Sequence, residues 1–309
     1  FVVIMLRGAL DGLSAVGPTG DPDYAALHGD IALSRTGPDA ALPLDSFFSL
    51  NPGMPNFHRL FGARQAAIVH AVATPYRERS HFDGQDVLES GYAGPGFATS
   101  GWLNRALAAL PPGETIRQRG GLGVGIVTPL VLRGQAPVVG WAPQVVQPAG
   151  EDLAQRLLDL YRHNDPALGD ALSHGLDIDR IAGRTMNGEK GQRGGMDSPA
   201  GMLQAARGAA KLLAADDGPR IAALSFDGWD THANEGGPRG RLAQLLSGLD
   251  SAFAEFEKGL GDKWRETFVI AITEFGRTAR INGTTGTDHG TATVAFLTGG
   301  AVVGGRLRV

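Results

Sequence analysis

Short apolar runs along the chain mark its strands. The first run, Val2 to Leu6, is continuous and partly β-branched, which is typical of a strand buried on both faces of a parallel sheet. The segment from Leu122 to Val146 is rich in Gly, Val and Pro, and its pattern fits two or three strands or a hairpin. Similar runs predict further strands at Gln65 to Ala73, Ile221 to Ser225, Thr267 to Ile272 and Thr293 to Leu297.

Amphipathic segments between these runs predict the helices. In the clearest of them, Leu242 to Leu260, apolar residues recur at helical spacing along one face. Ser80 suits the N-cap of another helix, and Asp83 follows three residues later, near the capping-box position. The proline-containing stretch before Gln65 predicts a long surface loop, and the glycine-rich stretch from Gly183 to Gly195 predicts a flexible link. The predicted helices are His81 to Glu89, Trp102 to Leu110, Glu151 to Arg162, Ser198 to Leu213 and Leu242 to Leu260.

Strands that alternate with helices predict a fold of three layers. Right-handed crossover connections place helices on both faces of a mostly parallel central sheet, which gives a three-layer α/β/α sandwich. In folds of this class, ligands bind beyond the carboxyl ends of the strands. The residues just past each predicted strand are therefore the first candidates for a functional site.

Composition narrows the possible function classes. The 309 residues are 42% hydrophobic, which is enough for a substantial core. There are 28 Lys and Arg residues against 32 Asp and Glu, so the chain has no basic surplus for nucleic acid or an anionic membrane. No apolar run reaches the roughly 18 residues of a membrane span. Cysteine is absent, which excludes disulfides, thiolate nucleophiles and cysteine-based metal sites.

The residues that follow the predicted strands are acids, imidazoles and hydroxyls. Without thiols, this set suits zinc, manganese, magnesium or calcium, and a serine activated by such a metal can act as a nucleophile. Several segments deliver these groups to what should be one edge of one sheet, which favours a shared metal site over isolated turns. The candidates are Asp11, Ser80, Asp227, Asp230, His232, Glu274, Arg277, Asp288 and His289.

Each candidate also has a purely structural interpretation. Asp11-Gly12 and Asp227-Gly228 have the sequence of common turns, in which the Asp side chain bonds its own backbone. Ser80 can be a plain helix cap, and Glu274 with Arg277 can be a local ion pair. The sequence has no Gly-x-Ser-x-Gly elbow, no Walker loop and no Gly-x-Gly-x-x-Gly after the first strand, which disfavours an α/β-hydrolase triad and nucleotide binding.

Six segments carry a resemblance to a known family: LRGALDGL at 6–13, RSHFDGQDVLESG at 79–91, GWLNR at 101–105, GWDTHAN at 228–234, TEFGRT at 273–278 and GTDHGTATVAFLTGGAV at 286–302. They resemble a bacterial, mostly exported family, domain of unknown function 1501, in the alkaline phosphatase-like superfamily of sulfatases and phosphoglycerate mutases. The resemblance implies a single alkaline phosphatase-like domain over residues 1–309 that lacks the family's C-terminal end. It also implies a periplasmic or exported protein, because members usually carry a twin-arginine signal.

The resemblance implies one metal site with imidazole ligands. Asp230 and His232 resemble the Asp and His of that site, and His289 resembles its last histidine. Asp227, five residues before His232, is a rival ligand for Asp230. Zinc suits this donor set best.

The resemblance implies a second, harder metal site. Asp11 resembles the N-terminal metal aspartate, and Ser80 resembles the nucleophile that bridges the metals. Glu274 follows the strand where phosphatases carry Asp-His-Gly, but Phe275 replaces the imidazole, so the site would take calcium, magnesium or manganese, bind weakly or be empty. Alternatively, Asp288-His289-Gly290 supplies the Asp-His pair.

The function that the resemblance implies is metal-dependent hydrolysis or transfer of a phosphate or sulfate ester, on a small molecule or a polymer. Ser80 would attack in line, and water would release the covalent ester. Arg79 or Arg277 would hold the anionic oxygens, and His81 would act as an acid or as a partner of a ligand. The alternative is a catalytically degenerate exported binding or accessory protein, which Phe275 favours. An enzyme-like structural subunit of an exported complex is the third interpretation.

Overall fold

The computed structural model describes residues 1–96, 98–143, 151–185 and 195–309, and these form one large sheet with helices on both faces. The strands are β1 (Val2–Leu6), β2 (Val16–Gly17), β3 (Leu42–Pro43), β4 (Ser49–Leu50), β5 (Ala66–Val72), β6 (Gly121–Val124), β7 (Val138–Trp141), β8 (Ile221–Phe226), β9 (Val269–Ile272), β10 (Arg277–Ile281), β11 (Thr287–His289), β12 (Thr293–Thr298) and β13 (Arg306–Arg308). The helices are α1 (Gly12–Ala15), α2 (Tyr24–His28), α3 (Pro55–Gly62), α4 (His81–Ser90), α5 (Trp102–Ala108), α6 (Thr115–Arg119), α7 (Glu151–Asn164), α8 (Pro166–Thr185), α9 (Pro199–Ala214) and α10 (Arg241–Leu260). Short 3-10 helices span Gly29–Ile31, Leu130–Leu132 and Gly261–Glu266.

The central sheet is mostly parallel. Its strand order is β13-β5-β12-β9-β1-β8-β6-β7 within the described residues. Every neighbouring pair is parallel except the two made by β12, which runs antiparallel to β5 and β9. Two small antiparallel sheets, β2-β4-β3 and β10-β11, lie outside it. The predicted α/β fold with a mostly parallel central sheet between helical layers is confirmed.

The strand β1 shows why both faces of the sheet are covered. All five of its residues are buried, and successive side chains point to opposite faces. Val2, Ile4 and Leu6 belong to the large apolar cluster that includes α9 and α10. Val3 and Met5 belong to a second cluster with residues of α5 and the second 3-10 helix. The continuous apolar run at the start of the chain therefore places β1 at the centre of the molecule.

The structure corrects several sequence predictions. The helix α8 was not predicted, because glycines interrupt its pattern, and Gly183 lies inside it and not in a link. The strands β10, β11 and β13 were also missed. In the Gly, Val and Pro segment, β6 and β7 are parallel neighbours and do not form a hairpin. Residues 144–146 of that segment, and the glycine-rich link over 186–194, lie outside the described residues.

The antiparallel direction of β12 follows from its connection. No helix lies between β9 and β12; residues 273–292 form the β10-β11 hairpin instead. Without a crossover, the chain re-enters the sheet from the edge at which β9 ended. The alternation of strands and helices that predicted parallel pairing stops at β9.

No helix among the described residues is both long and apolar enough to cross a membrane.

The packing of α10 on α3 predicts a large cost for truncating Phe253. Its ring is fully buried and lies 5.5 Å from the ring of Phe57, centroid to centroid. We expect Phe253→Ala to lower the free energy of unfolding by about 3–5 kcal/mol, because it removes buried surface and leaves a cavity. Phe253→Leu should cost clearly less, since it keeps most of the volume. Urea unfolding of both variants checks this, and equal costs would contradict it.

Candidate metal centre

Four chain segments meet at the carboxyl edge of the sheet. Residues 73–80 connect β5 to α4, whose first residue is His81. The loop after β8 carries Asp230 and His232, Glu274 follows β9, and His289 ends β11. Because β5, β8 and β9 run in the same direction, their carboxyl ends deliver these side chains to one edge.

The side chains of His81, Asp230, His232 and His289 form what we call the histidine cluster. One ligand atom each from His81, Asp230 and His289 lies within 4.8 Å of the others. Asp230 Oδ2 is 3.5 Å from His81 Nε2, and Asp230 Oδ1 is 3.5 Å from His289 Nε2. His232 Nε2 lies 3.0 Å from His289 Nε2 and 3.1 Å from Asp230 Oδ1.

The histidine cluster has the donor set of a metal site. His81 Nε2 is buried and has no hydrogen-bond partner in the described part of the chain, so this nitrogen is unused. His289 Nδ1 donates to the carbonyl of Arg79 at 3.0 Å, so its Nε2 carries a lone pair and faces His232 Nε2 within the cluster. At metal sites, a hydrogen bond from the ring nitrogen that does not bind the metal orients the imidazole in this way. Two histidines and an aspartate with an open position suit a divalent ion such as catalytic zinc.

Glu274 orients His81 and sets its charge. Glu274 Oε1 lies 2.9 Å from His81 Nδ1 and also accepts from the backbone N–H of Gly8 and from Gln85 Nε2. Burial opposes ionisation of this carboxyl, but the bonds from His81, Thr273 and Gly8 outweigh burial and lower the pKa of Glu274. The same hydrogen bond raises the pKa of His81 above its usual value.

Arg277 affects the pKa values of Asp230 and His289. Burial disfavours the charged form of Asp230, yet the hydrogen bond and charge of Arg277 prevail and lower the pKa of that carboxyl. Burial and the Arg277 charge together lower the pKa of His289. In the metal-free protein, His81 therefore carries a proton to a higher pH than His289 does.

The Arg277 guanidinium is closed to solvent and its donors are used inside the protein. It donates to the carboxylate of Asp230. It also donates to the backbone carbonyls of Gly8, Ala9, Thr287 and Trp229. The sequence predicted a clamp for substrate oxygens at this position, but the structure commits Arg277 to holding three loops together.

Ser80 stands at the N-cap position of α4, but its side chain does not cap the helix. This contrasts with Asp11 and Ser198, whose side chains accept hydrogen bonds from the first turns of α1 and α9. Arg79, the preceding residue, has a φ of 58°, in the left-handed region that non-glycine residues rarely adopt. Such strain is concentrated at functional sites. Arg79 is exposed and has no ion-pair partner among the described residues.

The remaining sequence candidates lie around or away from the cluster. Asp288 is exposed and 3.5 Å from His232 Nδ1. Asp227 makes no contact with the cluster among the described side chains, and burial raises its pKa. Asp11 is 1% exposed, and its carboxylate accepts from Leu13 and Ser14 N–H and from the Thr287 hydroxyl.

Phe275 and Glu274 leave few free ligand atoms for a second metal at this edge. Phe275 is 3% exposed and stacks on the His81 ring at 5.0 Å, centroid to centroid. Both oxygens of Glu274 already accept hydrogen bonds, Oε2 from Thr273 at 2.8 Å. Neither Asp11 nor Ser80 contacts Glu274 among the described residues. The structure thus brings Asp230, His232 and His289 together with Glu274 behind them, but it does not bring Asp11 into that group.

Sequence reasoning gave His81 only a supporting role, yet the structure places it among the potential ligands. The signal for it was its position beside Ser80 at the first residue of a helix that follows a strand. Glu235 was missed altogether, although it is fully buried. Glu235 lies nine residues after the end of β8, beyond the positions directly after a strand where the sequence analysis placed its candidates.

The chain belongs to the family described as "Protein of unknown function (DUF1501)", whose model matches residues 62–308. The family predicted from the six sequence segments is thereby confirmed. No curated protein matches the chain. The crystal structure of Ps i-CgsB in complex with k-i-k-neocarrahexaose is similar over 99% of this chain and 67% of that chain, with 13% identity and a TM-score of 0.45. The crystal structure of phosphonate monoester hydrolase of Agrobacterium radiobacter is similar over 99% of this chain and 69% of that chain, with 11% identity and a TM-score of 0.36.

The contacts of Arg277 predict that its charge is essential for stability. We expect Arg277→Gln to lower the free energy of unfolding by at least about 3 kcal/mol, because it leaves Asp230 and several buried carbonyls without their hydrogen-bond donor. Arg280→Gln changes an exposed residue of the same strand and should stay within about 0.5 kcal/mol of the wild type. Chemical denaturation of both variants provides the comparison, and similar stabilities would refute the structural role of Arg277.

The Glu274 contact predicts how metal binding responds to pH. A proton on His81 competes with a metal ion, so zinc affinity should fall as the pH falls through the raised pKa of His81. In the metal-free protein, that raised pKa stabilises the fold at low pH, and the stabilisation is lost as the pH rises through it. Glu274→Gln should weaken zinc binding about 10- to 100-fold at alkaline pH. It should also lower the pH at which zinc affinity begins to fall, because His81 loses the contact that raises its pKa.

Competition titration of zinc between pH 5 and pH 9 measures both effects. Gln85→Leu is the matched control, because it removes a neutral hydrogen bond to the same carboxylate and leaves the charge in place. An unchanged pH profile in Glu274→Gln would show that His81 is not a ligand.

Proposed function

We propose that this protein is a metal-dependent hydrolase of phosphate or sulfate esters, with Ser80 as its nucleophile. The observation that carries the proposal concerns Ser80, which directly precedes His81 at the start of a ten-residue helix. Its hydroxyl makes no capping hydrogen bond to that helix. The structural role that competes for Ser80, capping α4, is not used. The alkaline phosphatase-like assignment and the single domain over residues 1–309 belong to the same proposal.

One metal ion fits this proposal better than two. His81, Asp230 and His289 would hold it, with His232 at the rim as a further ligand or a proton carrier. The donor set favours zinc. A bound divalent ion would lower the pKa of a nearby hydroxyl and shield negative charge on the ester oxygens. The site with Asp11 and Glu274 is not part of the proposal, since the oxygens of Glu274 serve Gly8, His81, Gln85 and Thr273.

The protein's own groups account for the remaining steps. The free N–H groups in the first turn of α4 and the guanidinium of Arg79 would bind the anionic oxygens of the ester. Ser80 Oγ would bond to phosphorus or sulfur as the bond to the leaving oxygen breaks, and water would then hydrolyse the serine ester. His232 is 43% exposed, with Asp288 3.5 Å from its Nδ1, so it is placed to exchange the protons with solvent.

A binding protein without turnover is the second candidate, and Phe275 favours it. The phenyl ring occupies the position after β9 and contacts the rings of both His81 and His289 at 5.0 Å. With Arg277 committed to internal bonds, the site offers fewer charges for stabilising a transition state than its sequence suggests. Export to the periplasm, by a twin-arginine signal, is proposed from the family resemblance for either candidate.

The proposal predicts that Ser80→Ala abolishes hydrolysis and preserves metal binding. We expect the rate on 4-nitrophenyl phosphate, sulfate or phenylphosphonate, whichever is turned over, to fall at least about 10³-fold. Metal content measured by elemental analysis should stay at the wild-type value, whereas His289→Ala should lose the metal. Ser251→Ala on α10 is the control for a serine substitution as such.

Two results would count against hydrolysis by Ser80. A wild-type protein that holds metal but turns over none of the three ester classes would favour the binding protein. Activity that survives Ser80→Ala would assign the nucleophile to another group.

A further inference from the structure

A second group of polar side chains lies inside the protein and apart from the histidine cluster. Its members come from the start of α1, the loop after β8 and the strand β11. We call it the buried oxygen cluster: Asp11, Ser14, Thr231, Glu235 and Thr287. Asp11 is 1% exposed and the other four are 0% exposed, so bulk solvent does not reach their oxygens.

The hydrogen bonds of this cluster satisfy the carboxylate of Asp11 but leave that of Glu235 short of donors. Thr287 Oγ1 lies 2.8 Å from Asp11 Oδ2 and 3.0 Å from Glu235 Oε2. A hydroxyl has one proton, so Thr287 can donate to only one of the two acids. The hydroxyls of Ser14 and Thr231 also lie beside the Glu235 carboxyl. Even so, Glu235 Oε1 and Thr231 Oγ1 complete no hydrogen bond in the described part of the chain.

The basic side chains nearby already have hydrogen-bond partners. His28 Nε2 lies 2.7 Å from Ser14 Oγ and 3.9 Å from Asp11 Oδ2, and its Nδ1 faces the carbonyl of Ala279. In the described part of the chain, Arg277 hydrogen-bonds this cluster at one atom, the backbone carbonyl oxygen of Thr287. Two buried carboxylates, one of them with an unpaired oxygen, and the unpaired hydroxyl of Thr231 therefore lie together without a matching positive charge from the described residues. This arrangement is costly unless a cation or a proton compensates it.

We propose that the buried oxygen cluster binds a hard divalent cation of the calcium type. Its donors are all oxygens, and two carboxylates match the charge of such an ion. The carboxylate of Glu235, one oxygen of Asp11 and the three hydroxyls supply up to six ligands, as calcium requires. Magnesium fits less well because it keeps several waters, and this cluster is closed to water. Ligand oxygens about 3 Å apart match metal-oxygen distances of about 2.4 Å.

The cation would serve as a brace for the histidine cluster. Thr231 stands between Asp230 and His232 in sequence, and Thr287 lies two residues before His289. An ion bound by both threonines and by Asp11 would tie the loop after β8 and the β10-β11 hairpin to the start of α1. This role is independent of the proposed function, because it requires neither Ser80 nor a metal in the histidine cluster.

A proton is the competing occupant. Without a cation, burial and the charge of Asp11 raise the pKa of Glu235 to about 8, so this acid holds a proton at neutral pH. A proton on Glu235 donates to Thr287, which then donates to Asp11. Cation binding must displace that proton, so the two occupants predict opposite responses to added calcium.

Calorimetry of the full chain distinguishes them. The protein is unfolded in a chelator, refolded with or without excess calcium, and its midpoint of thermal unfolding is measured near pH 8. We expect calcium to raise the wild-type midpoint by at least about 2 °C and elemental analysis to find one calcium ion per chain. Glu235→Gln should abolish the rise, and Thr231→Val, which preserves side-chain shape, should reduce it. His289→Ala removes a ligand of the histidine cluster and should leave the rise intact.

Three results would overturn the proposal. If calcium leaves the wild-type midpoint unchanged, the cluster holds a proton only. If Glu235→Gln and Thr231→Val both respond to calcium as the wild type does, the ion binds elsewhere. If the response disappears in His289→Ala and persists in Thr231→Val, calcium acts at the histidine cluster. The Thr231→Val arm still decides the question if Glu235→Gln does not fold.

Discussion

The buried guanidinium of Arg277 is the interaction on which the carboxyl edge of the sheet depends. The loop after β1, the loop after β8 and the hairpin all turn back at this edge, and each exposes backbone carbonyls to an interior without water. One side chain with a planar set of donors binds carbonyls from all three and also binds Asp230. A lysine offers a point charge in place of that fork and cannot replace it. The position of Asp230, and with it the histidine cluster, is a consequence of this arrangement.

Two charged groups on opposite sides give the imidazoles of the cluster different protonation behaviour. Glu274 contacts His81 and raises its pKa, whereas burial and Arg277 lower the pKa of His289. The cluster thus combines a His81 whose pKa is raised with a His289 whose pKa is lowered. When His81 carries a proton, its charge partly compensates the negative charge of Asp230. A divalent ion would take over that compensation, so proton release and metal binding are linked through one residue.

The sequence predicted the elements that local pattern determines and missed those that depend on tertiary contacts. The apolar run at Val2 to Leu6 predicts a buried strand, and β1 is that strand. The strand β12 has an equally apolar sequence, but its direction depends on the hairpin before it, which has no hydrophobic periodicity. The same limit applies to Asp11: an acid five residues after a strand can face the edge or turn inward as a helix cap. Its inward turn places it against Thr287, far away in sequence.

The packing of α4 explains how Glu274 and Phe275 come to lie against His81. A side chain at Gly84 would place its Cβ 3.1 Å from Phe275 Cδ1 and 3.2 Å from Glu274 Cβ, so the helix lies directly on the residues that follow β9. This close approach makes possible the contact between His81 and Glu274. It also places the Phe275 ring against the ring of His81. The glycine and the phenylalanine therefore belong to one arrangement, in which the Glu274 carboxylate hydrogen-bonds His81 Nδ1 and orients the imidazole.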